Sequence, residues 1–214
     1  MIELLTDGPV DARMHLLLAH GAGAGMTTPF LTSVAELIAA RGIAVHRFEL
    51  AYMAARHEAG RRRPPPKAEA LTGEYLEAVA TVRARLRAGT RLLIGGKSMG
   101  GRIASLVTDR LHTEGAIAGL VVLGYPFHPP GKPETLRTAH LAALACPALI
   151  VQGERDPFGS RAEVEGYALS PSITLHWAED GDHDLGPRGG SGFTRKGNLA
   201  AAADAVAAFA ERLA

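Results

Sequence analysis

Short apolar runs and longer helical patterns alternate along the chain, and this alternation restricts the folds that it can adopt. The runs lack the polar–apolar alternation of a strand with one solvated face, so they indicate strands covered on both faces. Such an order predicts an α/β fold, an open and mostly parallel sheet of six to seven strands with helices on both faces. The predicted strands are residues 15–21, 45–51, 91–96, 119–125, 148–153 and 173–178, with a short antiparallel edge strand as an option at residues 1–5.

Six segments between and after these strands carry helical patterns. The last one opens with Asn198, a residue type that can cap a helix, and continues with strong helix formers. In an open parallel sheet, ligands bind beyond the carboxyl ends of the strands, so the residues that directly follow each strand are the first candidates for a functional site. The predicted helices are residues 28–41, 69–88, 99–114, 133–144, 160–168 and 198–213.

Length, composition and charge are those of an ordinary globular protein. The 214 residues are predicted to form one domain, 1–214, and a content of 47% apolar and 21% charged residues is typical of soluble proteins. A formal net charge of +1 provides no overall field that favours nucleic acid or an anionic membrane, so neither is expected as a partner. The basic run at residues 61–67 is predicted to be a solvated loop with polyproline character.

Cysteine content and hydropathy indicate the compartment. The single cysteine, Cys146, cannot form an internal disulfide and is predicted to be a small buried hydrophobic residue. The apolar run Leu16–Ala19 is too short for a signal peptide or a membrane-spanning helix. We therefore expect a cytoplasmic protein.

The stretch RLLIGGKSMGGR at residues 91–102 has two incompatible interpretations. A phosphate-binding loop requires glycine five positions before Gly96, but that position is Arg91 and the residues between form the strand itself. A nucleophile turn of the form G-x-S-x-G requires a strand, a sharp turn and a helix, and Gly96 and Gly100 flank Ser98 at that spacing. Ser98 is the predicted nucleophile, although the pentapeptide alone occurs by chance in about one such chain in ten.

Two partners for Ser98 follow from the order nucleophile, acid, histidine, each beyond a strand end. The acid is predicted to be Asp156 in the loop after residues 148–153, with Glu154 as the alternative. The base is predicted to be His183, which is the one histidine of nine beyond the last strand.

Two loops resemble binding motifs of other kinds. The segment beginning at Asp180 resembles a calcium loop, but its sixth and twelfth positions are Leu185 and Ser191 where glycine and glutamate are required. The segment HGAGAGM resembles a dinucleotide fingerprint, but Met26 replaces the third glycine. Neither a metal nor a cofactor is predicted.

The glycine-rich segment is better suited to an oxyanion hole. Attack by a serine on a carbonyl creates a negative oxygen that needs fixed amide donors, one after the nucleophile and one from the loop after an earlier strand. The predicted donors are Met99 and Ala22, with Gly23 as a near alternative.

These motifs carry a resemblance to a known superfamily. The segments HGAG, GGKSMGG, GERDPFG and GDHDL make the sequence resemble the α/β-hydrolase superfamily across nearly the whole chain. More narrowly, GGKSMGGR, LGYPFHPPGKPE and QGERDPFG are similar to a small branch that includes a testis-expressed protein and a subunit of the NSL chromatin complex, with dienelactone hydrolases as distant relatives. Dienelactone hydrolase has a cysteine where this chain has Ser98, so its chemistry does not transfer directly.

The resemblance implies a serine hydrolase that cleaves small acyl esters or lactones, with a noncatalytic scaffold or binding protein as the alternative, because the chromatin-complex relative serves in assembly. No cap domain is expected, since only residues 126–132 separate a predicted strand from the next helical pattern. Lys97 and Arg102 are predicted to be solvated or helix-supporting charges, with steering of a substrate carboxylate as the alternative. The predicted substrate-binding residues are Gly23, Tyr125, Phe127, His128 and Phe158.

Overall fold

A computed structural model describes residues 2–59 and 64–214. Seven strands form one sheet. They are β1 Leu5–Asp7, β2 Met14–Ala19, β3 Ala44–Phe48, β4 Arg91–Lys97, β5 Gly119–Leu123, β6 Ala148–Gly153 and β7 Ile173–Ala178. Their order in the sheet is β1-β3-β2-β4-β5-β6-β7, in which β1 pairs antiparallel with β3 and the other pairs are parallel. The predicted mostly parallel sheet is therefore confirmed, and its antiparallel edge strand is present but lies at Leu5–Asp7 rather than at residues 1–5.

Helices cover both faces of this sheet. They are α1 Pro29–Ala39, α2 Ala51–Ala59, α3 Thr72–Arg83, α4 Met99–Thr113, α5 Arg161–Val164 and α6 Arg195–Glu211, with a 3-10 turn at Ala68–Leu71 before α3. Of the predicted basic loop, residues 61–63 lie outside the described residues, and residues 64–67 are exposed and belong to no helix or strand. Within the described residues, no helix is long and apolar enough to cross a membrane.

The two apolar layers explain why the strands lack polar alternation. Along β2, Leu17 and Ala19 face the layer that contains α3 and α4, whereas Leu16 and Leu18 face the layer that contains α1 and α6. Because successive strand residues point to opposite faces, a sheet covered twice needs apolar residues at every position. Each leucine buried in this way contributes roughly 1.5–3 kcal/mol.

The predicted helix at residues 133–144 is wrong. This segment forms turns, because its backbone groups bond to neighbouring loops: Arg137 donates its amide to the Phe127 carbonyl at 2.7 Å, and its own carbonyl accepts from the Tyr125 hydroxyl at 2.9 Å. Asp109 on α4 accepts hydrogen bonds from the amides of Ala145 and Cys146 at the end of the segment. These tertiary contacts outweigh the local helical propensity.

Three other element boundaries differ from prediction. Helix α2 was not predicted, and the expected helix at residues 160–168 shrinks to the single turn of α5. Helix α6 starts before Asn198, and its cap is Thr194, whose hydroxyl accepts from the Gly197 amide at 3.0 Å. Asn198 is instead buried inside the helix, where its amide donates to the carbonyls of Glu179 and Leu185.

Glycines allow α4 to approach the carboxyl ends of β2 and β4. A Cβ atom at Gly96 would lie 2.6 Å from the Ala19 carbonyl oxygen, and one at Gly100 would lie 2.5 Å from the His20 carbonyl oxygen. Both distances are too short for any side chain, so these positions require glycine. The close packing brings the start of α4 next to the loop after β2.

Candidate active site

Ser98 lies in the sharp turn between β4 and α4. Its backbone adopts φ 51° and ψ −115°, a conformation that residues other than glycine rarely adopt and that stores strain at functional sites. The turn is held from both sides, because the Ser98 amide donates to the Leu123 carbonyl and its carbonyl accepts from the Arg102 amide, each at 3.0 Å. The predicted strand, strained turn and helix are thus all present.

Asp156 follows β6 and is fully buried. One carboxylate oxygen accepts from the Phe158 amide at 2.9 Å, and the other lies 2.7 Å from Nδ1 of His183. The alternative acid, Glu154, accepts from the Asp180 amide and from Arg161, both at 2.9 Å. These two hydrogen bonds, the backbone one first, lower the pKa of Glu154. Glu154 therefore binds the neighbouring loop, and Asp156 is the carboxylate that contacts the histidine.

The bond to Asp156 determines the tautomer of His183. Because an ionised carboxylate only accepts, Nδ1 carries the proton, and Nε2 presents its lone pair. The Phe158 ring packs against the imidazole with centroids 4.3 Å apart and planes inclined by 35°. Ser98 and His183 line the same cavity, which has a volume of about 460 Å³.

Gln152 supports the acid and was not singled out in the sequence. This fully buried side chain donates from Nε2 to Asp156 at 3.0 Å and to the Gly159 carbonyl at 3.0 Å, and its Oε1 accepts from the Tyr125 amide at 2.7 Å. The available signal was a polar amide inside the otherwise apolar strand ALIVQG, since buried polar groups need partners.

The loop after β2 is held from the side opposite the cavity. The Gly21 carbonyl accepts from Nδ1 of His20 at 2.7 Å, while Nε2 of His20 accepts from the Leu50 amide at 3.1 Å. The Tyr52 hydroxyl on α2 lies 3.3 Å from the Ala22 carbonyl oxygen. In a trans peptide the next amide points the opposite way, so the N–H groups of Ala22 and Gly23 point away from these partners. Both residues line the cavity.

Met99 occupies the first position of α4, directly after Ser98. The first amides of a helix have no acceptor within the helix, so this N–H is available to a ligand at the turn. The predicted donors thus come from the two segments that the glycines bring together.

Comparison with known proteins identifies the family. The model of a family described as "Alpha/beta hydrolase domain" matches residues 12–211. The chain belongs to this alpha/beta hydrolase family. A solved dienelactone hydrolase from Anabaena variabilis is similar in fold, with 20% identity, a TM-score of 0.72 and coverage of 99% of this chain and 92% of that one.

Two further structures have the same alpha/beta hydrolase fold. A serine hydrolase without lid from Xanthomonas campestris has 17% identity and a TM-score of 0.68, covering 99% of this chain and 88% of that one. Est1E from Butyrivibrio proteoclasticus, solved with ferulic acid, has 15% identity and a TM-score of 0.68, covering 99% of this chain and 95% of that one. The narrower branch with the testis-expressed and chromatin-complex proteins stays a prediction.

Two of the five predicted substrate-binding residues of this alpha/beta hydrolase, Gly23 and Phe158, line the cavity. Tyr125 and Phe127 lie instead in the core, and His128 is buried with Nδ1 bonded to the Pro129 carbonyl at 2.9 Å. The chain runs into the core here because the Gln152 side chain accepts a hydrogen bond from the Tyr125 amide. The wall residues that sequence reasoning missed come from the loop after β2, the start of α1, the loop of His183 and α6: Ala24, Thr28, Pro29, Phe30, Leu31, Asp184 and Arg195.

The two charges beside the turn occupy different environments. Arg102 is absent from the cavity wall and donates to Glu69 of the 3-10 turn at 2.5 Å, so it links α4 to that turn. Lys97 is buried and lines the cavity, so the predicted solvated environment is wrong for this residue. Burial lowers the pKa of the Lys97 ammonium, and the carboxylate of Asp184 partly offsets this effect.

The acidic residues around His183 shape its loop. Asp182 accepts from the amides of Asp184 and Gly186 at 2.9 and 2.8 Å. Asp180, with φ 49°, binds Arg188 at 2.6 Å and Arg155 at 2.8 Å. Hydrogen bonds from Arg188 lower the pKa of Asp180 to about 2. The segment that resembles a calcium loop in sequence thus uses these carboxylates to fold the loop.

Proposed function

We propose that this alpha/beta hydrolase is a serine hydrolase that cleaves small acyl esters or lactones through Ser98, His183 and Asp156. One observation carries the proposal: a histidine bonded at 2.7 Å to a fully buried aspartate shares a cavity with a serine in a strained strand-to-helix turn. A serine nucleophile, a histidine base and a carboxylate that orients the base are the three groups that such a mechanism requires.

The reaction proceeds in two acyl transfers. Ser98 Oγ attacks the carbonyl carbon while Nε2 of His183 takes its proton, and Asp156 stabilises the resulting imidazolium. When the intermediate collapses, His183 returns the proton to the leaving alcohol, and an ester between Ser98 and the acyl group remains. Water then attacks this acyl-enzyme with the same proton transfers, releasing the acid and free Ser98.

Backbone amides hold the negative oxygen of each tetrahedral intermediate. The Met99 amide is one donor, and Ala22 is the other, with Gly23 as the neighbouring alternative in the same loop. The Gly21 and Ala22 carbonyls are already engaged by His20 and Tyr52. The amides are therefore oriented before substrate binds, which is the condition for effective electrostatic stabilisation.

A fluorophosphonate probe tests the proposal, because it reacts covalently with activated serines. We expect the wild-type protein to be labelled and Ser98→Ala to be unlabelled. Ser105→Ala is the matched control, since the Ser105 hydroxyl lies 2.8 Å from a nitrogen of His140 but is buried away from the cavity. Labelling of this control should equal that of wild type. A folded wild-type protein that resists the probe would favour the noncatalytic scaffold.

A further inference from the structure

Lys97 reaches from the turn of Ser98 to the loop of His183. It is the last residue of β4, and its side chain is only 8% exposed. Its ammonium donates to the backbone carbonyl of His183 itself and lies 3.3 Å from a carboxylate oxygen of Asp184. The ring of Phe30 on α1 covers it from another side, with the nitrogen 5.2 Å from the ring centroid.

A gap at Gly124 makes this contact possible. Gly124 directly follows β5, the neighbour of β4, and has φ +67°. A Cβ atom here would lie 3.0 Å from both the Lys97 nitrogen and the His183 carbonyl oxygen, and 3.2 Å from Nδ1 of His183. The lysine therefore crosses the end of β5 through a space that a Cβ atom at this position would narrow.

Burying an ammonium group costs several kcal/mol unless close partners compensate. The charges that face Lys97 are Asp182 and Asp184 in the histidine loop and Asp156 after β6, and Arg195 of α6 lines the same cavity. An apolar side chain would fill this space at lower cost, so packing alone does not account for a charge here. What the charge adds is a directed bond to one carbonyl.

We propose that Lys97 is a positioning residue that holds His183 at a set distance from Ser98. Lys97 is adjacent to Ser98 in the chain and bonded to the backbone of His183, so one side chain links the turn to the base. With the carbonyl held by Lys97 and Nδ1 held by Asp156, rotation and displacement of the imidazole are both restricted. The inference rests on the proposed function for its catalytic consequence, whereas the positioning itself is measurable without turnover.

Lys97→Met tests the proposal, because it keeps the aliphatic stem and removes the ammonium. With p-nitrophenyl acetate we expect kcat to fall roughly 10- to 100-fold, the size expected when a reacting group is misplaced by about 1 Å. KM should change by less than about twofold, since uniform substrate binding is not affected. Lys132→Met, at an exposed position outside the cavity, is the matched control and should behave as wild type.

A substrate pair separates positioning from recognition of an anionic substrate. Mono-p-nitrophenyl succinate carries a carboxylate that the acetate lacks, and a positioning residue should lower kcat equally for both esters. If Lys97→Met instead raises KM for the succinate alone, Lys97 binds the substrate carboxylate and the proposal is overturned. Unchanged kinetics with both esters would overturn it as well.

Gly124→Ala provides a second variant that keeps the lysine. Its Cβ would crowd the ammonium, the His183 carbonyl and Nδ1 of His183, so kcat should fall at least as far as in Lys97→Met. The double variant with Lys97→Met should lose less than the product of the two single losses, because both changes disturb the contact of Lys97 with His183. Fully multiplicative losses would contradict the positioning role. Thermal unfolding of each variant identifies any that fail to fold.

Long-range ¹H–¹⁵N NMR of the histidine rings makes the test independent of activity. In wild type we expect one imidazole, absent in His183→Gln, with a slowly exchanging Nδ1 proton. Lys97→Met should broaden this resonance or speed its exchange, while Lys132→Met should not. An unchanged resonance overturns the positioning role. Failure of wild type to react with the fluorophosphonate, with the NMR change still present, would reject the proposed function alone.

Discussion

Single buried polar side chains determine how the candidate site is held together. The chain has one glutamine and one asparagine, and both are buried with their amides bonded to loops beside the cavity. Gln152 holds the loop of Asp156, and Asn198 holds the loop of His183 through two carbonyls. A neutral amide suits this task because it donates and accepts without the desolvation cost of a charge.

Replacing Gln152 should affect stability and activity together. Gln152→Leu leaves the Tyr125 amide without its acceptor and Asp156 without one donor, so we expect the free energy of unfolding to fall by at least about 1–3 kcal/mol. Ester turnover should fall too, because the carboxylate loses a contact that orients it. Urea unfolding and kcat measure the two effects.

Gln152→Glu sharpens this comparison. It keeps an acceptor for the Tyr125 amide but puts a second carboxyl group 3.0 Å from Asp156, where two negative charges repel. We expect a smaller loss of stability at low pH than at neutral pH, because protonation of the pair relieves the repulsion. Wild-type stability of Gln152→Leu would contradict the supporting role.

The antiparallel edge of the sheet contains a chain of hydrogen bonds far from the cavity. The Thr6 hydroxyl on β1 lies 2.9 Å from Nδ1 of His46 on β3, and Nε2 of His46 lies 2.9 Å from Nδ1 of His15 on β2. Nε2 of His15 lies 3.1 Å from the Ala12 carbonyl oxygen. Since a carbonyl only accepts, His15 donates to it from Nε2, His46 donates to His15, and Thr6 donates to His46, with both rings neutral.

This edge should weaken in acid. Burial first, then the positive charge that His15 carries when protonated, and then the charge of Arg85 lower the pKa of His46 from 6.5 to about 4. The pKa is lower in the folded state, so the stabilisation is complete above about pH 6.5 and is lost as the pH falls towards 4. Between pH 7 and 5 we expect the free energy of unfolding to decrease by about 2 kcal/mol from this group.

Urea unfolding of wild type and His46→Leu at several pH values measures this contribution. The variant should be less stable at pH 7, because it lacks the hydrogen bonds, but its stability should depend less on pH over this interval. Parallel pH profiles for the two proteins would show that His46 is not responsible.

At the scale of the whole molecule, no cap domain is inserted over the cavity within residues 2–59 and 64–214. The segment between β5 and β6, where a cap would be inserted, is made of turns held to the core by Arg137 and Tyr125. The cavity of about 460 Å³ is bounded by the loop after β2, the start of α1 and the loop of His183. The cavity is open to solvent, so a long acyl chain would bury only part of its apolar surface there.

Substrate length should therefore limit turnover. With p-nitrophenyl esters from acetate to palmitate, we expect the highest kcat/KM for the short esters and no activation at a lipid–water interface. Each buried methylene is worth about 0.8 kcal/mol, so a long apolar tunnel would raise kcat/KM several-fold per carbon. A steady rise beyond about eight carbons would contradict the open site.

The sequence by itself was sufficient for the sheet, the strand-to-helix turn at Ser98 and the meeting of Asp156 with His183. The reason is that the periodicity of apolar residues identifies parallel strands, and the carboxyl ends of such strands lie along one edge. Residues that directly follow them are neighbours whatever the details of packing. The spacing of the glycines around Ser98 also predicted the close approach of α4, because that approach depends on backbone geometry alone.

Only the tertiary structure decided what depends on contacts between distant segments. The segment 133–144 has helical composition, but its backbone groups find partners in other loops. Tyr125 follows a strand end, as Asp156 does, yet it packs in the core because its amide is bonded to Gln152. From the sequence, Lys97 was expected to be a surface charge. In the structure its side chain is buried and bonded to His183, because Gly124 leaves room for it. Local propensity and hydropathy do not encode such contacts, since each depends on two segments that pack side by side.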